Sequence, residues 1–194
     1  MVSAGAPSLA PLPSEVETGR RALEGAGLRG GSYAVLAPGA SYGPAKQWAP
    51  ERFGDVALEL GRRGFQAVSV GSGGDRAAVD SMARAVAAGG GTLVDLCGRT
   101  GLAELIGIVG GAGAVVTNDS GAMHVAAALG RPVLALFGST SPVWTSASSP
   151  WVENLYAGYP CSPCYRRRCP IGYGCLEALT VGDATEALAR ILPR

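Results

Sequence analysis

Five short apolar segments, separated by helical segments and glycine-rich loops, constrain the fold of this chain most strongly. The predicted strands span residues 33–37, 66–70, 92–96, 114–117 and 133–137. They are largely continuous apolar runs, which is typical of parallel strands covered on both faces. Strands that alternate with helices at short spacing predict an α/β fold with an open, doubly wound parallel sheet of the Rossmann-like type.

The first 32 residues are predicted to form a linker-like arm with one helix, and residues 33–194 a single Rossmann-like domain. Ser14 and Glu17 have the spacing of a capping box, so we expect the helix of the arm to begin there. Within the domain, Pro50 is expected to start a helix, and the last helix is predicted over residues 183–191.

Charge and hydropathy exclude several classes of function. The formal net charge is only +1, so no global field attracts nucleic acid. The N-terminal residues lack the basic and apolar regions of a signal peptide. No apolar run approaches the roughly 20 residues of a membrane helix. We therefore expect a cytoplasmic protein with no transmembrane segment and no nucleic-acid partner.

The loops that follow the strands are the places to look for a ligand, because parallel sheets bind ligands at the carboxyl ends of their strands. In the first βα loop, residues 38–48, small residues let backbone amides approach an oxyanion. Ser41 adds a hydroxyl donor and Lys46 a charge suited to phosphate. Taken alone, Lys46 is better explained as a solvated surface lysine.

The loop after the fourth strand opens a helix, whose first amides are unpaired and favour an anion. Ser120 and Gly121 are expected at this start, where Asp119 could instead be an ordinary N-cap. His124, the only histidine, lies four residues after Ser120 and is expected to lean over the first turn. The predicted core face of this helix consists of Ala122, Val125, Ala126 and Leu129.

The loop after the second strand, residues 71–75, superficially resembles a dinucleotide-binding loop. It follows the wrong strand and lacks the third glycine at the required spacing, which argues against an NAD-dependent dehydrogenase. Asp75 is equally consistent with a carboxylate that binds ribose hydroxyls and with a helix N-cap.

Four cysteines lie close together in a loop at residues 160–176, which we call the Cys-rich loop. Cys161, Cys164, Cys169 and Cys175 could form a tetrahedral structural zinc site, although local disulfides or free thiols fit the spacing as well. The arginine run at residues 166–168 is typical of a solvated turn, with phosphate groups of an acceptor or a membrane surface as the alternative partner.

Together these loops resemble a known family. Residues 38–48 (PGASYGPAKQW), 71–75 (GSGGD), 118–129 (NDSGAMHVAAAL) and 136–142 (LFGSTSP) resemble the C-terminal half of ADP-heptose:lipopolysaccharide heptosyltransferases. The resemblance covers roughly residue 33 to the C-terminus. It implies the donor-binding domain of a two-domain, inverting GT-B glycosyltransferase of the lipopolysaccharide inner core, acting without a catalytic metal or other cofactor.

The resemblance also implies roles for single residues. It assigns the donor phosphates to Ser41 and Lys46, and the pyrophosphate to Asp119, Ser120, Gly121 and His124. Asp75 falls where the family has its ribose-binding acid, and Thr100 falls near the adenine. Lys46 and His124 are the expected catalytic groups, because they would stabilise charge on the leaving diphosphate.

The family's N-terminal domain, which binds the lipopolysaccharide-core acceptor and supplies the base, has no counterpart in this sequence. The resemblance therefore predicts that the chain alone is inactive in transfer. Either it is a fragment of a longer protein or a partner supplies the acceptor domain, and it is expected to be at most peripheral at the inner membrane. The alternatives are a non-catalytic nucleotide-binding module and a structural zinc module built on the Cys-rich loop.

Overall fold

The structure, a computed structural model, describes residues 6–28 and 30–192 and contains one six-stranded sheet. Its strands are β1 (Tyr33–Ala37), β2 (Gln66–Ser69), β3 (Leu93–Asp95), β4 (Ala114–Asn118), β5 (Val133–Phe137) and β6 (Val152–Tyr156). All neighbouring pairs are parallel, in the order β3-β2-β1-β4-β5-β6. The predicted doubly wound α/β fold is thereby confirmed. The first five residues of the predicted arm lie outside the described residues.

The described chain contains eight α-helices, five of which lie between strands. They are α1 (Pro13–Gly25), α2 (Pro50–Arg62), α3 (Arg76–Ala88), α4 (Leu102–Gly110), α5 (Gly121–Ala128), α6 (Pro142–Thr145), α7 (Gly174–Glu177) and α8 (Val181–Ile191). None of the helices described here is long and apolar enough to cross a membrane.

The sheet is covered on both faces, as the continuous apolar strands predict. Within β1, Leu36 belongs to a cluster with Phe53 of α2 and Leu188 of α8. The neighbouring Val35 belongs to a second cluster with Met123 of α5. Because successive side chains of a strand point to opposite faces, a central parallel strand must be apolar throughout.

The edge strand β6 is absent from the sequence-based prediction. Its five residues include Glu153 and Asn154 and are only half-buried or exposed, so they form no continuous apolar run. Glu153 accepts a hydrogen bond from Arg190 of α8 at 2.6 Å, which fastens the edge strand to the last helix.

The predicted start of the first helix is wrong by two residues. Leu12, not Ser14, is the N-cap, and its amide donates to Glu15 Oε2 at 2.7 Å. Glu17 instead pairs with the arginines of the next turn. Helix α1 packs on α4 at a glycine contact, where a Cβ on Gly107 would lie 1.9 Å from the Glu15 carbonyl oxygen.

Candidate functional site

The order of the strands reverses between β1 and β4, which are adjacent in the sheet. The loops that leave such neighbours diverge and open a crevice at the carboxyl edge. A cavity of about 380 Å³ lies there. Five of the predicted ligand-binding residues line it: Ser41, Asp75, Thr100, Ser120 and Gly121. Segments far apart in the sequence therefore meet as expected.

The cavity is polar on one side and apolar on the other. Leu102 and Leu105 of α4 and Val70 after β2 contribute the apolar part of its lining. Leu102 is 67% exposed, so its side chain is accessible at the mouth of this apolar wall. A flat apolar ligand group would fit this wall, with polar groups bound on the opposite side.

The start of α5 supplies the polar side. Ser120 is the N-cap, and its side chain makes no capping hydrogen bond to the helix. Among the described residues, the backbone amides of Ser120, Gly121 and Ala122 have no hydrogen-bond acceptor. Unpaired amides and the positive end of the helix dipole attract an anion, so this helix start is available to a ligand.

Asp119 is not the N-cap of α5, which corrects that interpretation of its sequence position. Its Oδ2 atom accepts three hydrogen bonds: from Lys46 Nζ at 2.7 Å, from Thr140 Oγ1 at 2.6 Å and from Thr145 Oγ1 at 2.9 Å. The side chain of Asp119 is only 4% exposed and that of Lys46 13%. The buried ion pair joins the loops after β1 and β4, and the two threonine hydrogen bonds add the segment after β5.

Asn118, at the end of β4, adds a second connection between the loops. Its Oδ1 accepts from the amide of Trp48 at 3.0 Å, and its Nδ2 donates to the carbonyls of Pro38 at 2.9 Å and Gly39 at 3.1 Å. Trp48 is fully buried and donates through Nε1 to Leu179 O at 2.9 Å. Both ends of the first βα loop are thereby fixed to the sheet.

Asp75 is the N-cap of α3 by position, although its side chain makes no capping hydrogen bond to that helix. Its Oδ2 accepts from the amide of Ser72 at 2.8 Å and from the Ser72 hydroxyl at 2.8 Å, so it caps the short 3₁₀ turn at residues 73–75. Its Oδ1 accepts no hydrogen bond from any residue that the structure describes. This free oxygen belongs to a side chain that lines the cavity.

The segment after β3 that leads to Thr100 is anchored by Asp95. Burial alone would raise the pKa of Asp95, but hydrogen bonds from the Cys97 amide and Ser69, together with the Arg76 guanidinium, lower it. The amide of Gly98 donates to Gly71 O at 2.8 Å. The two loops that form this end of the cavity are thus held together.

Lys46 and His124 do not line the cavity. Lys46 is held by Asp119, one residue before the free amides. His124 lies one turn into α5 with an exposed side chain. The predicted core face of this helix packs on the core, with Ala126 and Leu129 buried and Ala122 and Val125 half-buried against the same cluster. The prediction omitted Met123, which is fully buried.

The four cysteines of the Cys-rich loop line one small cavity of about 120 Å³. All four are free thiols, and burial raises the pKa of Cys175. Within residues 6–28 and 30–192, no three His, Cys, Asp or Glu side chains are already arranged to hold a metal ion. The spacing therefore brings the thiols together without forming a ready coordination site.

Sequence reasoning missed several residues that shape the site. Thr140 and Thr145 bind Asp119, Asn118 joins two loops, and Tyr42 contacts Arg167. These partners lie tens of residues apart in the chain, and no local spacing indicates them.

The parallel sheet, the cavity at its carboxyl edge and the unpaired helix amides define the class: a Rossmann-like domain with a helix start suited to an anion. Residues 10–173 match the family model of glycosyltransferase family 9 (heptosyltransferase). This match covers most of the chain, so the protein belongs to glycosyltransferase family 9.

Individual relatives agree with this assignment. Lipopolysaccharide heptosyltransferase 2 of Salmonella typhimurium is 40% identical over 125 residues, which are 63% of this chain and 36% of that protein. The structure of E. coli ADP-heptose lps heptosyltransferase II has 28% identity and a TM-score of 0.77, covering 95% of this chain and 53% of that chain. A family 9 glycosyltransferase from Veillonella parvula, with 20% identity and a TM-score of 0.79 over 98% and 55% of the two chains, shares the fold. The chain thus spans about a third to a half of the length of these relatives.

Proposed function

We propose that this chain is the donor-binding domain of a heptosyltransferase and that its cavity holds an ADP-sugar such as ADP-heptose. The observation that supports the proposal best is the set of unpaired amides at Ser120, Gly121 and Ala122. All three residues line the same cavity as Ser41. A diphosphate is the ligand group that such amides favour. The E. coli relative is described as an ADP-heptose enzyme, which supports the choice of sugar and base.

In this proposal the adenine lies against the apolar wall near Thr100 and Leu102. The free Oδ1 of Asp75 accepts a hydrogen bond from a ribose hydroxyl. The diphosphate extends from the α5 amides towards Lys46 and His124. As the sugar leaves, negative charge grows on the diphosphate, and amides and cations that are already in place stabilise this charge.

Glycosyl transfer also needs an acceptor and a base that removes the proton of its hydroxyl. We propose that a separate domain supplies both, that the acceptor is the lipopolysaccharide core, and that the reaction inverts the sugar in a GT-B arrangement without a cofactor. In this scheme the chain works at the cytoplasmic side of the inner membrane and is inactive alone.

Binding of nucleotides to single-residue variants tests the anion site. Gly121 is the first residue of α5, where proline is tolerated because that amide needs no helical acceptor. Ser120, which precedes it, is already extended at φ −151° and ψ 174°, as a residue before proline requires. Gly121→Pro therefore removes one free amide while the helix is kept.

We expect calorimetry to show tighter binding of ADP and its sugars than of UDP or GDP. Gly121→Pro should weaken ADP binding by about tenfold or more, the worth of one charge-assisted hydrogen bond. Gly121→Ala keeps the amide, and its Cβ would meet no protein atom within 4 Å, so it is the matched control. Equal affinities of the two variants would exclude the amide from the site.

A non-catalytic nucleotide-binding module would have the same cavity, and nucleotide binding alone does not separate it from an enzyme domain. Combining this chain with a separately produced acceptor domain of a family 9 relative does so. Transfer of heptose in the mixture supports the enzyme, whereas ADP-heptose binding without any transfer supports the module.

A structural zinc at the Cys-rich loop remains a proposal for the four thiols. Because no three ligands are already in position, the metal would have to draw Cys161 and Cys164 towards Cys175 within their shared cavity. Metal analysis of the purified chain tests this directly. One equivalent of zinc that is lost in a Cys164→Ser variant is the expected result, and metal-free folded protein would refute it.

A further inference from the structure

The Cys-rich loop is fastened directly to the first βα loop. Arg167 Nε donates to Tyr42 O at 2.6 Å, and Tyr42 Oη donates to Tyr165 O at 2.6 Å. The amide of Ala45 donates to Arg167 O at 3.2 Å. Three hydrogen bonds, two to Arg167 and one to Tyr165, thus join the Cys-rich loop to the segment that ends in Lys46.

Two cations lie against the ring of Tyr42. Lys46 Nζ is 4.9 Å and Arg167 Cζ is 5.5 Å from the ring centroid. Both distances are within the range of cation–π attraction. Arg167 therefore contacts both the backbone carbonyl and the ring of Tyr42. The same Tyr42 ring lies beside the Lys46 side chain.

Local backbone geometry indicates that this connection is specific. Tyr165 has a φ of +54°, a conformation uncommon for residues other than glycine and found where the surroundings enforce it. Both its amide, through Ser139 O at 2.8 Å, and its carbonyl, through Tyr42, are hydrogen-bonded. Gly43 has a φ of +148°, and a Cβ there would lie 2.6 Å from Arg167 O.

We infer that Arg167 is a positioning residue for Lys46: through Tyr42 it fixes the lysine beside Asp119 and the start of α5. This inference rests on the proposed function, in which the fixed lysine stabilises a diphosphate bound at that helix start. It gives the arginine run a role other than a solvated turn. Arg168, in contrast, has no hydrogen bond or ion pair with any described residue.

Lys46 is the only lysine of the sequence, so amine chemistry followed by peptide mass spectrometry reports on it alone among the side chains. We expect Arg167→Ala to speed acetylation of Lys46 about two- to fivefold, the equivalent of one exposed cation–π contact. The loss of a neighbouring cation would, through charge alone, slow the labelling of the Lys46 amine. Faster labelling in Arg167→Ala therefore reports that the Lys46 side chain is held less firmly. Arg168→Ala, on the same surface groove, is the matched control.

An unchanged labelling rate in Arg167→Ala would overturn the inference. If that variant fails to fold, Arg167→Gln, which keeps most of the side-chain stem, replaces it with the same expectation. Labelling needs no ligand, so the inference is tested even if the chain does not bind ADP. Absence of ADP binding by the unaltered chain would instead count against the proposed function.

A double-mutant cycle on ADP affinity separates positioning from general damage to the loop. Arg167→Ala should weaken ADP binding about two- to fivefold in the unaltered chain. In a Lys46→Ala background it should have no further effect, because the side chain that Arg167 positions is gone. Equal losses in both backgrounds would show that Arg167 acts independently of Lys46 and would refute the inference.

Discussion

Replacing Asp119 by asparagine tests the ion pair at the centre of the site. The substitution keeps the shape of the side chain but removes the charge that Lys46 Nζ contacts at 2.7 Å. Breaking a buried pair on one side costs about 3–5 kcal/mol, because the remaining charge has lost its partner. The Lys46 side chain is 13% exposed and thus partly hydrated. We therefore expect Asp119→Asn to lower the free energy of unfolding by about 3 kcal/mol, the lower end of that range.

The companion variant Lys46→Met makes this magnitude interpretable. In that variant Asp119 still accepts hydrogen bonds from Thr140 and Thr145, so the cost should be smaller than for Asp119→Asn. The double variant contains neither charge. It should be more stable than Asp119→Asn alone, with a coupling of about 1–3 kcal/mol between the two sites.

Urea denaturation of the four proteins, followed by circular dichroism, measures these differences. A change in the midpoint at constant slope reports stability rather than a change in the unfolded state. If the double variant lost the sum of the two single losses, the pair would not be coupled. The three-loop connection through Asp119 would then contribute no more than its separate hydrogen bonds.

Three further predictions concern the scaffold. Gly107→Ala should destabilise the protein by about 1–3 kcal/mol or more, as measured by calorimetric unfolding, because the added Cβ meets Glu15 O at 1.9 Å. The control Gly61→Ala, with open space around it, should be neutral or stabilise the protein by up to about 1 kcal/mol. Equal effects of the two substitutions would contradict the Gly107 contact. Thr180→Ala removes the side chain that accepts from the Asp183 amide at 3.1 Å and should cost about 1 kcal/mol in urea, whereas no loss would mean that this cap is dispensable. The hydrogen bond from the Thr180 hydroxyl lowers the pKa of Asp183, so the ionised carboxylate stabilises the fold above its ordinary pKa of about 4, and this stabilisation is lost as the pH falls through the lowered value. The difference in stability between the unaltered chain and Asp183→Asn should therefore shrink in acid. A difference that grows in acid would refute this prediction.

The fold could be predicted from local patterns because the central strands are buried on both faces. Residues 33–37 and 133–137 have continuous apolar side chains, and the structure forms strands at those bounds. β6 escaped prediction for the opposite reason. At an edge, with one neighbour and half-exposed residues such as Glu153, a strand gains its stability from pairing with β5 rather than from its own pattern.

The ligand loops could also be predicted, because glycines and hydroxyl residues after parallel strands converge at one edge. What the sequence leaves open is which polar atom binds protein and which remains free. Asp119 and Asp75 look alike as carboxylates at strand ends. Only the fold shows that Asp119 Oδ2 is occupied by three donors, whereas Asp75 keeps one oxygen without a partner.

Gly39 shows why this distinction depends on backbone geometry. A Cβ at residue 39 would lie 2.1 Å from Asp75 Oδ1, so the first βα loop passes the carboxylate at a distance that only glycine allows. The loop is held in that place by Asn118, which binds the Gly39 carbonyl at 3.1 Å. The same close approach places Oδ1 beside backbone that carries no side chain. The surroundings of this oxygen thus depend on contacts between the loops after β1, β2 and β4, which the spacing of residues within any one loop cannot reveal.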